Sequence, residues 1–158
     1  MDTALQNIRV LDLCRVLAGP WASQLLGDFG ADVVKVERPG VGDDTRQWGP
    51  PWLGSQSAYF LSSNRNKRSI TVDLVTPEGQ ERIRALAGKA DVLLENFKVG
   101  TLARYGLEAD ELMRVNPRLV YCSISAFGQS GSRALESGYD AVIQGEAGLM
   151  SITGPSDE

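Results

Sequence analysis

Ile8-Arg9-Val10-Leu11-Asp12-Leu13-Cys14-Arg15-Val16-Leu17-Ala18-Gly19-Pro20 is the stretch from which the fold is read. A short apolar run, Ile8–Leu13, is followed at once by a small polar turn and a Gly-Pro pair. The pattern recurs three times. Val33–Val36 leads into Glu37-Arg38-Pro39-Gly40, Val92–Leu94 into Glu95-Asn96-Phe97, and Leu119–Ile124 into Ser125–Gly131. Each run has the length and apolarity of a buried strand. If the strands are parallel, all four loops open on one edge of a sheet, the edge where open α/β sheets bind ligands. The expected fold is α/β: a Rossmann-like open, mostly parallel sheet with flanking helices.

Between the runs the signals are helical. Gly19-Pro20 opens a helix, with Pro at its first position. Trp21, Leu25 and Phe29 recur at helical spacing, and Gly30 suits its end. Ser69–Leu74 reads as a further strand. Thr76 caps the next helix with Pro77 at its first position, and Ile83, Leu86, Ala87 and Ala90 mark its buried face. Leu107–Val115 is a short helix ending before Pro117. Pro39–Ser57 is a long loop, functional or disordered, or else an ordered surface excursion pinned by Trp48 and Trp52. Asp140–Met150 reads as a helix weakened by Gly145 and Gly148.

Composition narrows the chemistry. The 158 residues hold 42% hydrophobic and 23% charged residues, ordinary for one globular domain with its own core. Sixteen basic against twenty acidic residues, net −4, argue against a nucleic-acid binder. Two cysteines, Cys14 and Cys122, suggest no disulfide framework, which fits a reducing cytoplasm. No stretch is apolar enough over about 18 residues to span a membrane. There is no histidine, which removes Ser-His-Asp and Cys-His chemistry and most catalytic metal sites from these residues.

Individual residues have competing readings. Glu37 ends a strand where an acid can hold a ribose hydroxyl, yet Cys14–Gly19 lacks the glycine fingerprint of dinucleotide folds, so NAD is not expected. Arg38 projects at the sheet edge, able to meet a phosphate or to form a surface ion pair with Glu37 or Asp44. Asn96 and Phe97 offer an amide and an aromatic face, or plain core packing for Phe97. Arg104 can reach the same edge. Asp140 is a candidate helix N-cap. The basic run Arg65-Asn66-Lys67-Arg68 reads as a solvated loop or a phosphate site.

With these residues in place, the chain resembles the class III CoA-transferases, the CaiB/BaiF type. The resemblance lies in Leu11-Asp12-Leu13, Arg15–Pro20, Gly30–Gly40, Gly42–Arg46, Asn64–Ile70, Glu95-Asn96-Phe97, Asn116–Leu119 and Gly138-Tyr139-Asp140. Trp48–Pro51, Tyr121–Ile124 and Gly148–Pro155 are most similar to the succinate–hydroxymethylglutarate (glutarate) branch. The resemblance implies transfer of CoA from an acyl-CoA such as succinyl-CoA to a small dicarboxylic acid such as glutarate, without metal or NAD. By position it implies coenzyme A contacts at Val16, Ala18, Arg38, Val72, Asn96, Phe97, Arg104 and Tyr139, with Val72 standing where the family has Leu. The nucleophilic aspartate, which forms an anhydride and then an enzyme thioester, is expected roughly thirty residues after Asp140 and therefore beyond Glu158, the last residue of this sequence. No catalytic residue is thus expected within the chain, and Asp140 is at most a supporting residue.

Residues 1–158 are therefore expected to form a single α/β CoA-binding domain, incomplete at its C-terminus, of a protein whose full-length form is an interlocked homodimer. Leu17 stands where formyl-CoA:oxalate transferases place Gln. Tyr139 replaces the His of the α-methylacyl-CoA racemases, which disfavours a racemase-like enzyme. A catalytically inactive CoA-binding or interaction fragment is the other alternative.

Overall fold

The computed structural model describes residues 3–154. Pro155, at the end of one stretch of resemblance, and Glu158, beyond which the nucleophile is expected, lie outside the described residues. The described residues fall into two compact units, the first running to Ile124 and the second beginning at Ser125. In the first unit the elements follow in the order β1 (Arg9–Asp12), α1 (Ala18–Asp28), β2 (Asp32–Glu37), a 3-10 turn (Asp44–Gln47), β3 (Trp52–Leu53), β4 (Gln56–Ser57), α2 (Ala58–Ser63), β5 (Lys67–Thr71), α3 (Pro77–Ala87), β6 (Val92–Glu95), a second 3-10 turn (Ala103–Tyr105), α4 (Ala109–Val115) and β7 (Val120–Ser123). Five strands make one sheet in the order β5-β2-β1-β6-β7, and every pairing within it is parallel. The order reverses between β1 and β6, where doubly wound sheets open a ligand crevice beyond the strand ends. The short strands β3 and β4 form a separate antiparallel hairpin.

Alternation along β1 assigns its two faces. Leu11 and Leu13 enter a core with Ile83 and Ala87 of α3, Leu112 of α4 and Leu93 of β6. Val10 and Cys14 enter the opposite core with Ala31, Val33 and Leu94, flanked by Ala22 and Leu26 of α1. The Thr76 hydroxyl accepts from Gly79 N at 3.1 Å with Pro77 opening α3, as the sequence indicates.

Helix α1 departs from the sequence reading in two respects. It begins at Ala18, so Pro20 is its third residue rather than its first. Its buried face is Gly19, Pro20, Ser23 and Gln24, whereas Trp21, Leu25 and Phe29 are exposed, Trp21 to 57%. Close approach explains the choice. A Cβ on Gly19 would sit 2.2 Å from Cys14 Sγ, and one on Gly27 only 3.1 Å from Asn66 O. Small residues at positions 19, 23 and 27 let the helix lie down on the strands, and a stripe of large residues would not fit there.

The Pro39–Ser57 excursion is ordered, but not pinned as expected. Trp48 and Trp52 are about half exposed. Asp43 and Thr45 are buried instead, and Arg46 lies 3.7 Å over the Phe60 ring. In the second unit, α5 (Asp140–Glu146) precedes a left-handed Gly148 and a 3-10 turn, Leu149–Ser151, so the helix is shorter than the sequence suggests. Tyr139, not Asp140, occupies the N-cap. Asp140 is the first helical residue and accepts from Gln144 Nε2 at 2.5 Å.

Candidate functional site

Because the sheet is parallel, the carboxyl ends of β1, β2, β5 and β6 share one edge. A cavity of about 240 Å³ lies there. Leu13, Cys14 and Arg15 after β1, Glu37 and Arg38 at the end of β2, Val72 to Val75 after β5, and Phe97 after β6 line it, with Thr101 and Tyr105 from the following segment. The exposed wall is mostly apolar, and Arg15, Lys35, Glu37, Arg38, Asp43 and Asp73 bring charge to the lining, a combination suited to a flat heteroaromatic group with a charged tail.

The turn from β1 to α1 is held by side chains from other elements. Cys14 N donates to Asp12 Oδ1 at 2.9 Å, and Cys14 O accepts from Lys35 Nζ at 2.8 Å. Arg15 N donates to Asn96 Oδ1 at 2.9 Å, and Arg15 O accepts from Asn96 Nδ2 at 2.8 Å. Val16 N lies 3.3 Å from both Asp43 oxygens. Val16 itself has φ +70°, a left-handed conformation that costs a β-branched residue of order 1–3 kcal/mol. Leu17, the N-cap of α1, has no side-chain oxygen to offer, so the first amides of this 11-residue helix are uncapped by side chain. Such an end attracts anions.

Two buried ammonium groups underlie the turn. Lys35 pairs with Asp43 at 2.9 Å, and Lys67 with Asp12 at 3.1 Å, and all four side chains are almost fully buried. Lys67 also donates to Pro20 O at 2.7 Å and to Asn64 Oδ1 at 2.9 Å. Burial raises the Asp43 carboxyl pKa, but the Lys35 ammonium and the Thr45 amide and hydroxyl outweigh it, and the net direction is down. The Cys14 thiol is pushed well up by burial and by Asp12, so it is not a thiolate nucleophile.

At the margin, Arg38 forms an ion pair with Asp44, and Arg15 approaches the same carboxylate at 3.7 Å. Two guanidiniums thus share one acid. Arg15 also lies 5.2 Å from the centre of the Phe97 ring. Glu37, a candidate ribose ligand by position, is committed elsewhere. It accepts from Arg46 Nε and Nη2 at 2.6 Å each, from Ser69 Oγ at 2.5 Å and from Asp43 N at 2.8 Å.

Burial alone would raise the Glu37 pKa, but these donors bring it from about 4.5 down to about 2. A depressed carboxylate pKa stabilises the fold above the unfolded value, and that stability is lost as pH falls from about 4.5 towards about 2. The expected loss across that window is up to about 3 kcal/mol. Urea unfolding at successive pH values should show it, and Glu37→Gln should flatten that part of the profile.

The residues expected at the site are distributed as follows. Arg38, Val72 and Phe97 line the cavity. Val16 and Asn96 belong to the adjoining turn, where both ends of the Asn96 amide are bound to Arg15. Ala18 is the exposed first residue of α1. Arg104 is exposed in the Ala103–Tyr105 turn and lies outside the cavity lining, while its neighbour Tyr105 is within it. Tyr139 is exposed and belongs to the second unit. Asp140, the supporting acid, is exposed in that unit too, and the nucleophile it would support, expected beyond Glu158, falls outside the described residues. The basic run is neutralised: Arg65 and Asn66 bind Asp28, Arg68 binds Asp32, and Lys67 is the buried partner of Asp12. Asp73, Leu74, Val75, Thr101 and Tyr105 were not anticipated. The first three were hidden because β5 ends at Thr71, not Leu74, which turns residues 72–75 from strand into rim.

With this geometry in place, the chain belongs to CoA-transferase family III, whose model matches residues 5–158. It is 55% identical over 159 residues to the succinate–glutarate CoA-transferase of Agrobacterium fabrum, covering 97% of this chain and 40% of that protein. It is 50% identical over 153 residues to the succinyl-CoA:glutarate CoA-transferase of Homo sapiens, covering 97% of this chain and 35% of that one. A CAIB/BAIF family protein from Brucella suis has a solved structure that superposes with a TM-score of 0.95 at 51% identity, covering 100% of this chain and 43% of its own. The chain thus spans well under half the length of these relatives.

Proposed function

We propose that the protein carrying this chain transfers CoA from an acyl-CoA such as succinyl-CoA to a dicarboxylic acid such as glutarate, and that residues 1–158 supply its CoA-binding part. The observation that carries this reading is the single edge at which an apolar cavity, the Arg15–Arg38 pair and the start of α1 meet, where the strand order reverses. The names of the relatives at 50–55% identity support the choice of donor and acceptor.

The roles follow from chemistry. The cavity between Val72 and Phe97 takes the adenine ring. The Arg15–Arg38 pair and the amides at the start of α1 take phosphate charge. Val16, Ala18 and Arg104 add further cofactor contacts. The nucleophilic carboxylate belongs to the part of the protein beyond Glu158. It displaces the CoA thiolate from the thioester to form an acyl–enzyme anhydride. The thiolate then attacks the enzyme's own carbonyl, releasing the donor acid and leaving an enzyme thioester. The acceptor carboxylate attacks that thioester to form a second anhydride, and the displaced thiolate attacks the acceptor's carbonyl and expels the enzyme carboxylate, so thioester energy passes on without hydrolysis. Neither metal nor NAD takes part. The protein works in the cytoplasm as an interlocked homodimer.

Incubation of the intact protein with succinyl-CoA and glutarate is expected to yield succinate and glutaryl-CoA in equal amounts. Hydrolysis alone, or no CoA exchange, would overturn the assignment. Residues 1–158 produced alone are expected to bind CoA without turnover.

A further inference from the structure

The turn between β1 and α1 contains an uninterrupted series of backbone groups bound by side chains. From Cys14 N through Cys14 O, Arg15 N and Arg15 O to Val16 N, all five meet a side chain, supplied by Asp12, Lys35, Asn96 and Asp43. Three of these four residues come from segments distant in sequence. A dinucleotide fold shapes the same turn with glycines, which need no outside help to adopt left-handed φ. Here a valine holds φ +70° and no glycine precedes Gly19 in the turn. An unfavourable backbone shape persists only where its surroundings over-determine it.

We infer that Asn96 and Asp43 are positioning residues: they fix the Cys14–Val16 backbone in the shape that presents Arg15 and the start of α1 to the cofactor's phosphates. This rests on the CoA reading of the site. It moves Asn96 from cofactor contact to support, since its acceptor and donor are both bound to Arg15. It also gives the buried Lys35–Asp43 pair a task. Lys35 holds Cys14 O, and Asp43, fixed by Lys35 and Thr45, meets Val16 N.

The test compares Asn96→Asp and Asp43→Asn with wild type in the intact protein, by site-resolved amide exchange and by calorimetric titration with CoA. Asn96 is half-buried at the rim. Its replacement by Asp keeps the acceptor for Arg15 N but sets an oxygen against Arg15 O, so the fold survives. Asp43→Asn keeps the shape but leaves the buried Lys35 ammonium without its counter-charge, so some rise at Val10 and Leu93 is expected there too. In Asn96→Asp, exchange at Arg15 and Val16 is expected to rise by about tenfold or more while Val10 and Leu93 in the strands stay protected, and in Asp43→Asn the rise at Arg15 and Val16 is expected to exceed that in the strands. CoA affinity should fall about tenfold, as expected when only about a tenth of molecules hold the competent turn.

Unchanged exchange at residues 15–16 would overturn the inference. So would an equal rise across all strands, which would mark a general loss of stability, or faster exchange with unaltered CoA affinity. If wild type binds no CoA, the reading of the site falls, and the exchange measurement still decides whether these side chains set the turn.

Discussion

Lys35→Met is expected to destabilise the fold by about 3–5 kcal/mol, measured as the free energy of urea unfolding. The Lys35 side chain is 1% exposed and its partner Asp43 is fully buried. Removing the ammonium leaves a carboxylate without its ion-pair partner in the interior, with Thr45 and the Val16 amide as its remaining donors among the described residues, and leaves Cys14 O without its donor. An uncompensated buried charge costs far more than an exposed pair contributes. Arg65→Met provides the contrast. Arg65 pairs with Asp28 at 2.5 Å but is 56% exposed, and its loss should change stability by no more than about 1 kcal/mol. Equal effects for the two variants would mean that water reaches Lys35 and that the turn is not built on a dry ion pair.

Arg38→Glu is expected to weaken CoA binding by about 100-fold, because the reversed charge repels the phosphates it otherwise meets. The same change should leave the unfolding free energy within about 1 kcal/mol of wild type, since Arg38 is a half-exposed surface residue. Wild-type affinity should fall with added salt and the variant's should fall less. An unchanged affinity would remove Arg38 from the site. A large loss of stability would make its pair with Asp44 a structural contact instead.

Much of the framework was legible in the sequence because it rests on local patterns. The strands around residues 10, 34, 93 and 121 are short, mainly apolar runs, and the cap at Thr76-Pro77 needs only its own neighbours. Long-range pairing was not legible. Lys67 looked like one charge in a basic loop, yet it is buried within β5 because Asp12, 55 positions earlier, neutralises it. Its burial starts β5 two residues ahead of the expected Ser69. The strand ends at Thr71, and Asp73 to Val75 line the cavity unannounced. The stripe of Trp21, Leu25 and Phe29 gave the period of α1 correctly but not its inward face, which the glycine contacts decide. Arg38 forms the ion pair with Asp44 that was one of its readings, and it also lines the cavity.

Amide chemical shifts recorded while CoA is titrated into the protein test the central claim most directly. The account predicts saturable shifts at Arg15 to Gly19, Arg38, Val72 to Val75 and Phe97, with Arg9, Asp32 and Val92 at the opposite ends of the strands unmoved. Shifts centred on those strand starts, or no saturable change at all, would contradict it.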